Sequence, residues 1–174
     1  TVAAQQHVES IARASLAQQG VHAEQVLVSP TAFNTALWRI LVMEGGRYHE
    51  GFYSLFDAQR TLHLEHFDQG LPLARELPPI DGVQRIMDFS HGFYKLHQDG
   101  PKILITDLRM GYEPAYTFTF AVAQRHSPPL PLAKAEQLGY TGDKLRLVLN
   151  RADSAYGIRV VDVENSIGRK IDHT

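Results

Sequence analysis

The feature that most constrains the fold of this chain is a pair of adjacent glycines. Gly45-Gly46 separates two apolar runs within residues 37–55. Both glycines can take positive φ, which a two-residue hairpin turn of the primed type requires. The sequence therefore predicts a β-hairpin over residues 37–55 with Gly45-Gly46 as its turn.

The turn also fixes the register of this hairpin. Trp38 then faces Tyr53 on one side of the sheet. On the other side Arg39 lies diagonally across from Glu50, close enough for two long side chains to meet. We therefore expect Arg39 and Glu50 to pair on an otherwise apolar hairpin.

Apolar periodicity and turn residues predict the remaining elements. Residues 2–19 have apolar side chains at helical spacing and stop at Gly20. The other expected elements, in chain order, are strands at 26–28 and 62–67, a helix at 81–90 capped by Asp81, a meander of strands at 93–97, 102–109 and 115–123, a helix at 132–138, and strands at 145–149 and 158–163. The prediction is an α+β fold of mainly antiparallel sheet (hairpin plus meander), with an N-terminal helix and one or two short helices.

Length and composition restrict the class of protein. A chain of 174 residues with 44% hydrophobic and 21% charged residues is of an ordinary globular kind. The net charge of −2 gives no electrostatic footprint for nucleic acid, and without cysteine there are no disulfides or thiolate metal sites. No apolar run reaches the ~20 residues that a membrane-spanning helix needs.

We expect the chain to divide into three parts. Residues 1–20 would be a helix or linker that continues from an upstream membrane region, residues 21–164 a single α+β domain, and residues 165–174 a C-terminal tail. Because the sequence begins with Thr1, directly in a helix-like stretch, it resembles a processed or excised piece.

Asp107 and Arg109 form a second unusual polar feature. They follow an apolar stretch and stand two residues apart on a predicted strand, so both side chains should project from one face. Arg39 and Glu50 could complete a four-charge network with them. Three interpretations remain open: a structural cluster that fixes strand register, a site in which Arg39 and Arg109 hold a carboxylate or phosphate, and direct catalysis by Asp107.

Trp38 is a further candidate, either as a core residue with Tyr53 or as a stacking platform for a ligand. The substrate- or anion-binding candidates are thus Trp38, Arg39, Glu50, Asp107 and Arg109. The sequence contains no Gly-x-Ser-x-Gly elbow, phosphate loop or Gly-x-Gly-x-x-Gly motif, so no catalytic residue is assigned.

Nine histidines raise the question of a metal site. His63 and His66 are three apart in an extended stretch, where they would point to opposite faces, unlike the helical pair of His-Glu-x-x-His. His49 is interpreted as the cross-strand partner of Val42. We therefore predict no catalytic metal site in this chain. Tight, stoichiometric zinc or manganese held by two or more of His49, His63, His66, His91 and His97 would contradict this prediction.

Several segments together resemble one family. They are, in chain order, Val28-Ser29-Pro30 with Asn34, Leu37-Trp38-Arg39, Tyr48 to Leu55, Phe89-Ser90-His91-Gly92-Phe93-Tyr94, and Ile105-Thr106-Asp107-Leu108-Arg109-Met110-Gly111 with Pro114 and Tyr116. Over residues 26–124 the chain resembles the C-terminal region of the bacterial inner-membrane metal-dependent hydrolases, the LexA-regulated YdjM-like group.

This resemblance implies a soluble domain attached to a multi-span membrane protein. The family's His- and Asp-rich metal motifs lie in an N-terminal membrane region, and none of them occurs in this sequence, so the divalent metal is implied for the full-length protein only. Two hypotheses follow. The chain is an accessory, substrate-orienting domain that lacks the metal site, with its own membrane region and a small-molecule substrate as partners, or it is a non-catalytic module that binds a ligand or a protein.

Overall fold

The computed structural model describes residues 2–31, 34–58 and 60–139. These residues form an α+β fold of mainly antiparallel sheet, as the sequence predicted. The helices are α1 (Val2–Gln18), α2 (Leu71–Glu76) and α3 (Asp81–Phe89). None of the helices in this part of the chain has the length and apolar character needed to cross a membrane.

The first sheet confirms the predicted hairpin. Its strands are all antiparallel and stand in the order β1 (Gln25–Thr31), β2 (Asn34–Glu44), β3 (Arg47–Ser54) and β4 (Leu64–Asp68). Trp38 is paired with Tyr53 and Arg39 with Phe52, as expected from the turn. Gly45 and Gly46 have φ values of 47° and 88°, so the turn does use the conformation that favours glycine.

Replacing Gly46 by valine is expected to destabilise the hairpin. A β-branched residue at φ 88° costs on the order of 1–3 kcal/mol in backbone strain, and the added Cβ would lie 3.1 Å from the side chain of Leu71. Thermal unfolding of Gly46→Val and of Gly46→Asn tests this, because asparagine tolerates positive φ better. A melting temperature unchanged by valine would contradict the turn assignment.

Helix α1 covers one face of the first sheet. Its buried residues Val8, Ile11, Ala12 and Leu16 share an apolar core with strand residues that include Trp38. The buried residues of α1 form the apolar stripe that the sequence periodicity predicted. The assignment of residues 1–20 to an upstream membrane region stays a prediction, although in this structure the helix packs on the sheet.

The second sheet confirms the meander. Its strands stand in the order β10 (Leu130–Leu138), β9 (Thr119–Gln124), β6 (Lys102–Asp107) and β5 (Tyr94–Asp99), all antiparallel. A short two-stranded sheet of β7 (Gly111–Tyr112) and β8 (Ala115–Tyr116) leads from β6 into β9. Residues of α2 and α3 pack on one face of this second sheet.

The predicted helix at residues 132–138 is wrong, because these residues belong to strand β10. Leu-Ala-Lys-Ala-Glu-Gln-Leu is rich in helix-forming residues, but its backbone pairs with strand β9, where Glu136 lies opposite Ala121. Propensity is a weak preference that tertiary pairing overrides. The extra residues between Pro131 and Glu136 are accommodated by a register shift.

Smaller corrections concern element ends. Strand β1 continues through Ser29-Pro30, which stays paired with β2. The N-cap position of α3 is occupied by Ile80, which makes no side-chain cap hydrogen bond, and Asp81 is the first residue of the helix. The predicted strand at 115–123 is divided into β8 and β9, and the pairing of β9 with β6 contains a register shift. The strands expected at 145–149 and 158–163, and the tail, lie outside the described residues.

A second core joins the first sheet to the β7–β8 hairpin and to residues next to the ends of β5 and β6 in the second sheet. The face of the first sheet opposite α1 contributes Leu41, Met43 and Tyr48, and the other side contributes Phe93, Leu108 and Tyr116. Leu108 lies between β6 and β7, so the chain passes through this core as it leaves the second sheet. The charged residues singled out in the sequence therefore lie at or beside the junction of the two sheets.

Candidate functional site

Arg39 and Glu50 form a buried ion pair at this junction. Arg39 is 1% exposed and Glu50 is fully buried. The Nε and Nη2 atoms of Arg39 each lie 2.7 Å from Oε1 of Glu50, and Nη1 donates to the carbonyl of Leu108 at 2.8 Å. Each nitrogen of this guanidinium therefore has a partner within the protein, which favours a structural role for Arg39.

Aromatic rings enclose the same guanidinium. The rings of Tyr112 and Tyr116 lie 5.6 and 5.8 Å from the central carbon of Arg39, and Nη2 reaches the hydroxyl of Tyr116 at 3.4 Å. Desolvation raises cation–π attraction. Both tyrosines belong to the β7–β8 sheet, so Arg39 ties the first sheet to this short connecting hairpin.

Lys95 and Glu113 extend the network in a direction that the sequence did not indicate. The Nζ atom of Lys95 lies 2.9 and 2.7 Å from the two oxygens of Glu113, and the hydroxyl of Tyr48 donates to Glu113 at 2.7 Å. The backbone N–H of Glu113 donates to Oε2 of Glu50 at 3.2 Å. The buried charged network at the junction thus consists of Arg39, Glu50, Glu113 and Lys95, which differs from the set that the sequence predicted.

Burial and charge shift the pKa values of this network. Burial raises the pKa of Tyr48 and of Tyr116 well above the usual range, so both stay protonated hydroxyls. Burial alone would also raise the pKa of Glu113. The charge of Lys95 and the hydrogen bonds from Lys95 and Tyr48 outweigh it, and the pKa of Glu113 is lowered.

Acid is expected to weaken the fold through Glu113. Its folded pKa lies below the unfolded one of ~4.3, so the ionised carboxylate stabilises the fold above that pH, and the stabilisation is lost as the pH falls through the folded pKa. Urea unfolding of the native chain and of Glu113→Gln between about pH 6 and about pH 3 tests this. We expect the difference between the two free energies of unfolding to shrink on acidification.

A control for this experiment is Glu136→Gln, which alters the exposed ion pair of Glu136 with Lys102. Exposed pairs contribute little to stability, so this variant should follow the native chain at each pH. A stability difference for Glu113→Gln that is independent of pH would contradict the assignment.

Asp107 and Arg109 form a separate pair at the edge of the junction. Strand β6 ends at Asp107 and the chain turns at Leu108-Arg109, so the expectation that Arg109 lies on the strand is wrong. Asp107 Oδ1 accepts the backbone N–H of Arg109 at 2.9 Å, the local bond by which Asp side chains favour turns. Asp107 forms its ion pair with Arg109, whereas Glu50 forms its ion pair with Arg39, so the four charges that the sequence grouped together form two ion pairs.

Arg109 differs from Arg39 in its access to solvent. Its Nε and Nη2 atoms lie 3.0 and 2.7 Å from the oxygens of the fully buried Asp107, while its own side chain is 24% exposed. The hydrogen bond with Asp107 raises the pKa of Arg109. The guanidinium lies 4.8 Å from the centre of the exposed Phe89 ring at the end of α3.

Trp38 lies on the other face of the first sheet. It is buried in the core beneath α1, together with Tyr53, and is separated from Arg39 by the sheet itself. The structure thus brings Arg39 and Glu50 together in the interior, places Asp107 and Arg109 at its edge, and puts Trp38 apart from both pairs.

Histidines meet at a place that their spacing did not indicate. His49 of β3 is paired directly with His66 of β4, and His63 precedes the strand. Burial lowers the pKa of His49, against the opposing effect of Glu44. The described residues contain no group of three or more His, Asp or Glu side chains that could hold a metal ion.

Two open depressions lie elsewhere on the described surface. One of ≈ 390 Å³ is lined by residues at the end of α1, including Leu16 and Val21. The other, of ≈ 710 Å³, is lined by Glu76, Arg125 and the prolines that precede β10. Neither includes the charged residues at the sheet junction.

Comparisons with known proteins find no match that would help to interpret this geometry. A scan against protein-family models, a search of curated proteins and a search of solved structures each find no match to the chain. A proposal for the function of the site therefore rests on its own geometry and on the untested sequence resemblance.

Proposed function

We propose that this chain is the C-terminal accessory domain of a bacterial inner-membrane metal-dependent hydrolase of the YdjM-like type. Its role is to orient an anionic substrate, while the chemistry takes place at a metal centre in another part of the protein. The motif resemblance over residues 26–124 supports the family. The described residues do not fit a catalytic metal site, since they bring no three potential ligands together, and none of them is assigned a step at a metal.

The observation that carries the proposal is that the guanidinium of Arg109 is bound on one side only. Asp107 fixes one side of the guanidinium through Nε and Nη2, and within the described residues Nη1 makes no hydrogen bond or ion pair. An arginine held rigidly on one side and open on the other offers a charged, planar donor group to a carboxylate or phosphate. Because the side chain is already ordered, less entropy is lost on binding.

The interior network supports this division of roles. Arg39 uses its nitrogens on Glu50, Leu108 and Tyr116, and no water-facing edge remains for a ligand. Of the two arginines that the sequence offered as an anion site, only Arg109 therefore takes that role. Arg39, Glu50, Glu113 and Lys95 hold the turn that carries Arg109 in place, since Arg39 binds the carbonyl of Leu108 beside it.

One observation favours the second candidate function, a non-catalytic module that binds a ligand or a protein. The ring of Phe89, which contacts Arg109, is 61% exposed. Met110, the residue after Arg109 in the chain, is 53% exposed. Exposed aromatic and methionine side chains beside an arginine are typical of protein-binding surfaces. In that case the same arginine would anchor a partner's carboxylate and no hydrolysis would depend on it.

A hydrolase screen of the intact membrane protein, with and without chelator, separates the two functions. The substrates are p-nitrophenyl phosphomonoesters, phosphodiesters and carboxylic esters, and the variants are Arg109→Gln and the matched control Arg125→Gln, an exposed arginine paired with Glu76. We expect chelator-sensitive hydrolysis by the intact protein, a lower kcat/KM only for Arg109→Gln, and no hydrolysis by the isolated chain. Chelator-insensitive hydrolysis by the isolated chain would contradict the proposal, and an inactive intact protein would favour the binding module.

A further inference from the structure

Phe89, the last residue of α3, lies beside the guanidinium that the proposed function uses. The centre of its ring is 4.8 Å from Cζ of Arg109. Nη1, the nitrogen assigned to the anion, is bonded directly to Cζ, so an acceptor atom bound to Nη1 lies within about 9 Å of the ring centre. Although the ring packs on the arginine, Phe89 stays 61% exposed. Much of its apolar surface is therefore free to contact a ligand.

Backbone hydrogen bonds hold the ring and the guanidinium at a fixed spacing. The N–H of Ser90 donates to the carbonyl of Ile86 at 2.8 Å, and the N–H of Phe93 donates to the carbonyl of Ser90 at 3.0 Å. The carbonyl of Phe93 in turn accepts the N–H of Leu108 at 2.9 Å, and Leu108 immediately precedes Arg109. The end of α3 is thus joined directly to the turn that carries the arginine.

We infer that the anion bound by Arg109 carries an apolar group next to its charged head, and that Phe89 is the residue that selects for this group. The inference rests on the proposed function and names its substrate class, an amphiphilic anion such as an alkyl or aryl carboxylate. The charged head accepts hydrogen bonds from the open side of the guanidinium. The hydrocarbon part lies on the exposed ring, where contact removes apolar surface from water.

A ring that only shields the arginine is the alternative interpretation. Exposed apolar residues are common on protein surfaces, and a cation–π contact stabilises an arginine without any ligand. The two interpretations differ in a measurable way. A shielding ring affects the binding of all carboxylates alike, whereas an apolar subsite favours those with a longer hydrocarbon chain.

Titration of the chain with acetate, butyrate and hexanoate, followed by the Nε–H resonance of Arg109, tests the inference. The three anions have the same charged head and differ only in methylene groups, each of which raises affinity about fourfold when fully buried. Because one exposed ring covers only part of the alkyl chain, we expect hexanoate to bind about tenfold more tightly than acetate. In Phe89→Ala the two affinities should become nearly equal.

Leu130→Ala is the matched control. Leu130 is 52% exposed and begins β10 opposite Gln124, which also pairs with Lys102. Lys102 begins β6, whereas Asp107 ends that strand. Leu130 therefore lies at the end of the second sheet away from Arg109, and its replacement should leave the preference for hexanoate unchanged.

Three results would overturn the inference and leave the anion site of Arg109 intact. They are equal affinities for the three carboxylates in the native chain, a preference for hexanoate that persists in Phe89→Ala, and a loss of that preference in Leu130→Ala. A response of Arg109 to none of the three anions would overturn the proposed function as well. Far-UV circular dichroism of each variant shows that a changed preference is not a loss of the fold.

Discussion

Glu50→Ala is expected to lower the free energy of unfolding by about 3–5 kcal/mol, because it leaves a buried guanidinium without its counter-charge. Arg39 cannot reach solvent, since it is 1% exposed and enclosed by the rings of Tyr112 and Tyr116. The backbone N–H of Glu113 loses its acceptor in the same variant. Urea unfolding monitored by tryptophan fluorescence measures the change, because Trp38 lies in the core of the same sheet.

The control for this variant is Glu9→Ala, which removes an exposed helical ion pair of Glu9 with Arg13. Such pairs contribute about 0.3–0.5 kcal/mol. If Glu50→Ala were no more damaging than Glu9→Ala, the network at the sheet junction would not stabilise the fold, and its proposed role in holding the turn of Arg109 would be lost.

Gly70→Ala is the second change with a large expected effect. Gly70 has φ +80°, and a Cβ built on it would lie 1.9 Å from the carbonyl oxygen of Leu96. The backbone there cannot easily move away, because the N–H of Leu96 donates to the carbonyl of Gln69 at 2.8 Å. We expect a loss of about 3 kcal/mol or more, from steric overlap added to backbone strain.

Gly100→Ala is the matched control for this effect. Gly100 has φ +55° and no atom within 4 Å of its added Cβ, so only the backbone preference of about 1–2 kcal/mol applies. Thermal and urea unfolding of both variants separate the steric overlap from the backbone preference. Equal destabilisation by the two substitutions would mean that the close approach of Gly70 to β5 is not maintained in solution.

The parts of the fold that the sequence predicted correctly are those with a local cause. Gly45-Gly46 determines its own turn, and the turn determines that Trp38 pairs with Tyr53 and that Arg39 reaches Glu50. The meander was predictable for the same reason, since short turns connect neighbouring antiparallel strands. The packing of α1 follows from its apolar stripe.

The parts that failed depend on contacts between distant segments. Residues 132–138 have helical propensity, and only pairing with β9 makes them a strand. Glu50 also accepts a hydrogen bond from the backbone N–H of the turn residue Glu113, whose position depends on how the β7–β8 hairpin folds over the first sheet. Lys95 meets the same residue, and no pattern in the sequence indicated that contact.

The candidate site shows the same limit. The sequence selected Arg39 and Arg109 together, because both interrupt apolar stretches and both have an acidic residue within reach. It could not distinguish the enclosed arginine from the accessible one, since this depends on whether the chain turns after Asp107. Exposure to solvent is what separates the proposed roles of the two arginines.

Titration of the chain with inorganic phosphate and with acetate, followed by the ¹H–¹⁵N resonances of the arginine Nε–H groups, tests the central claim most directly. We predict that the Nε–H resonance of Arg109 shifts saturably and that this response is lost in Arg109→Gln. The buried Arg39 is the internal control, and its resonance should stay unchanged. A saturable response of Arg39, or no response of Arg109 to either anion, would contradict the claim that Arg109 is the anion-binding residue of this domain.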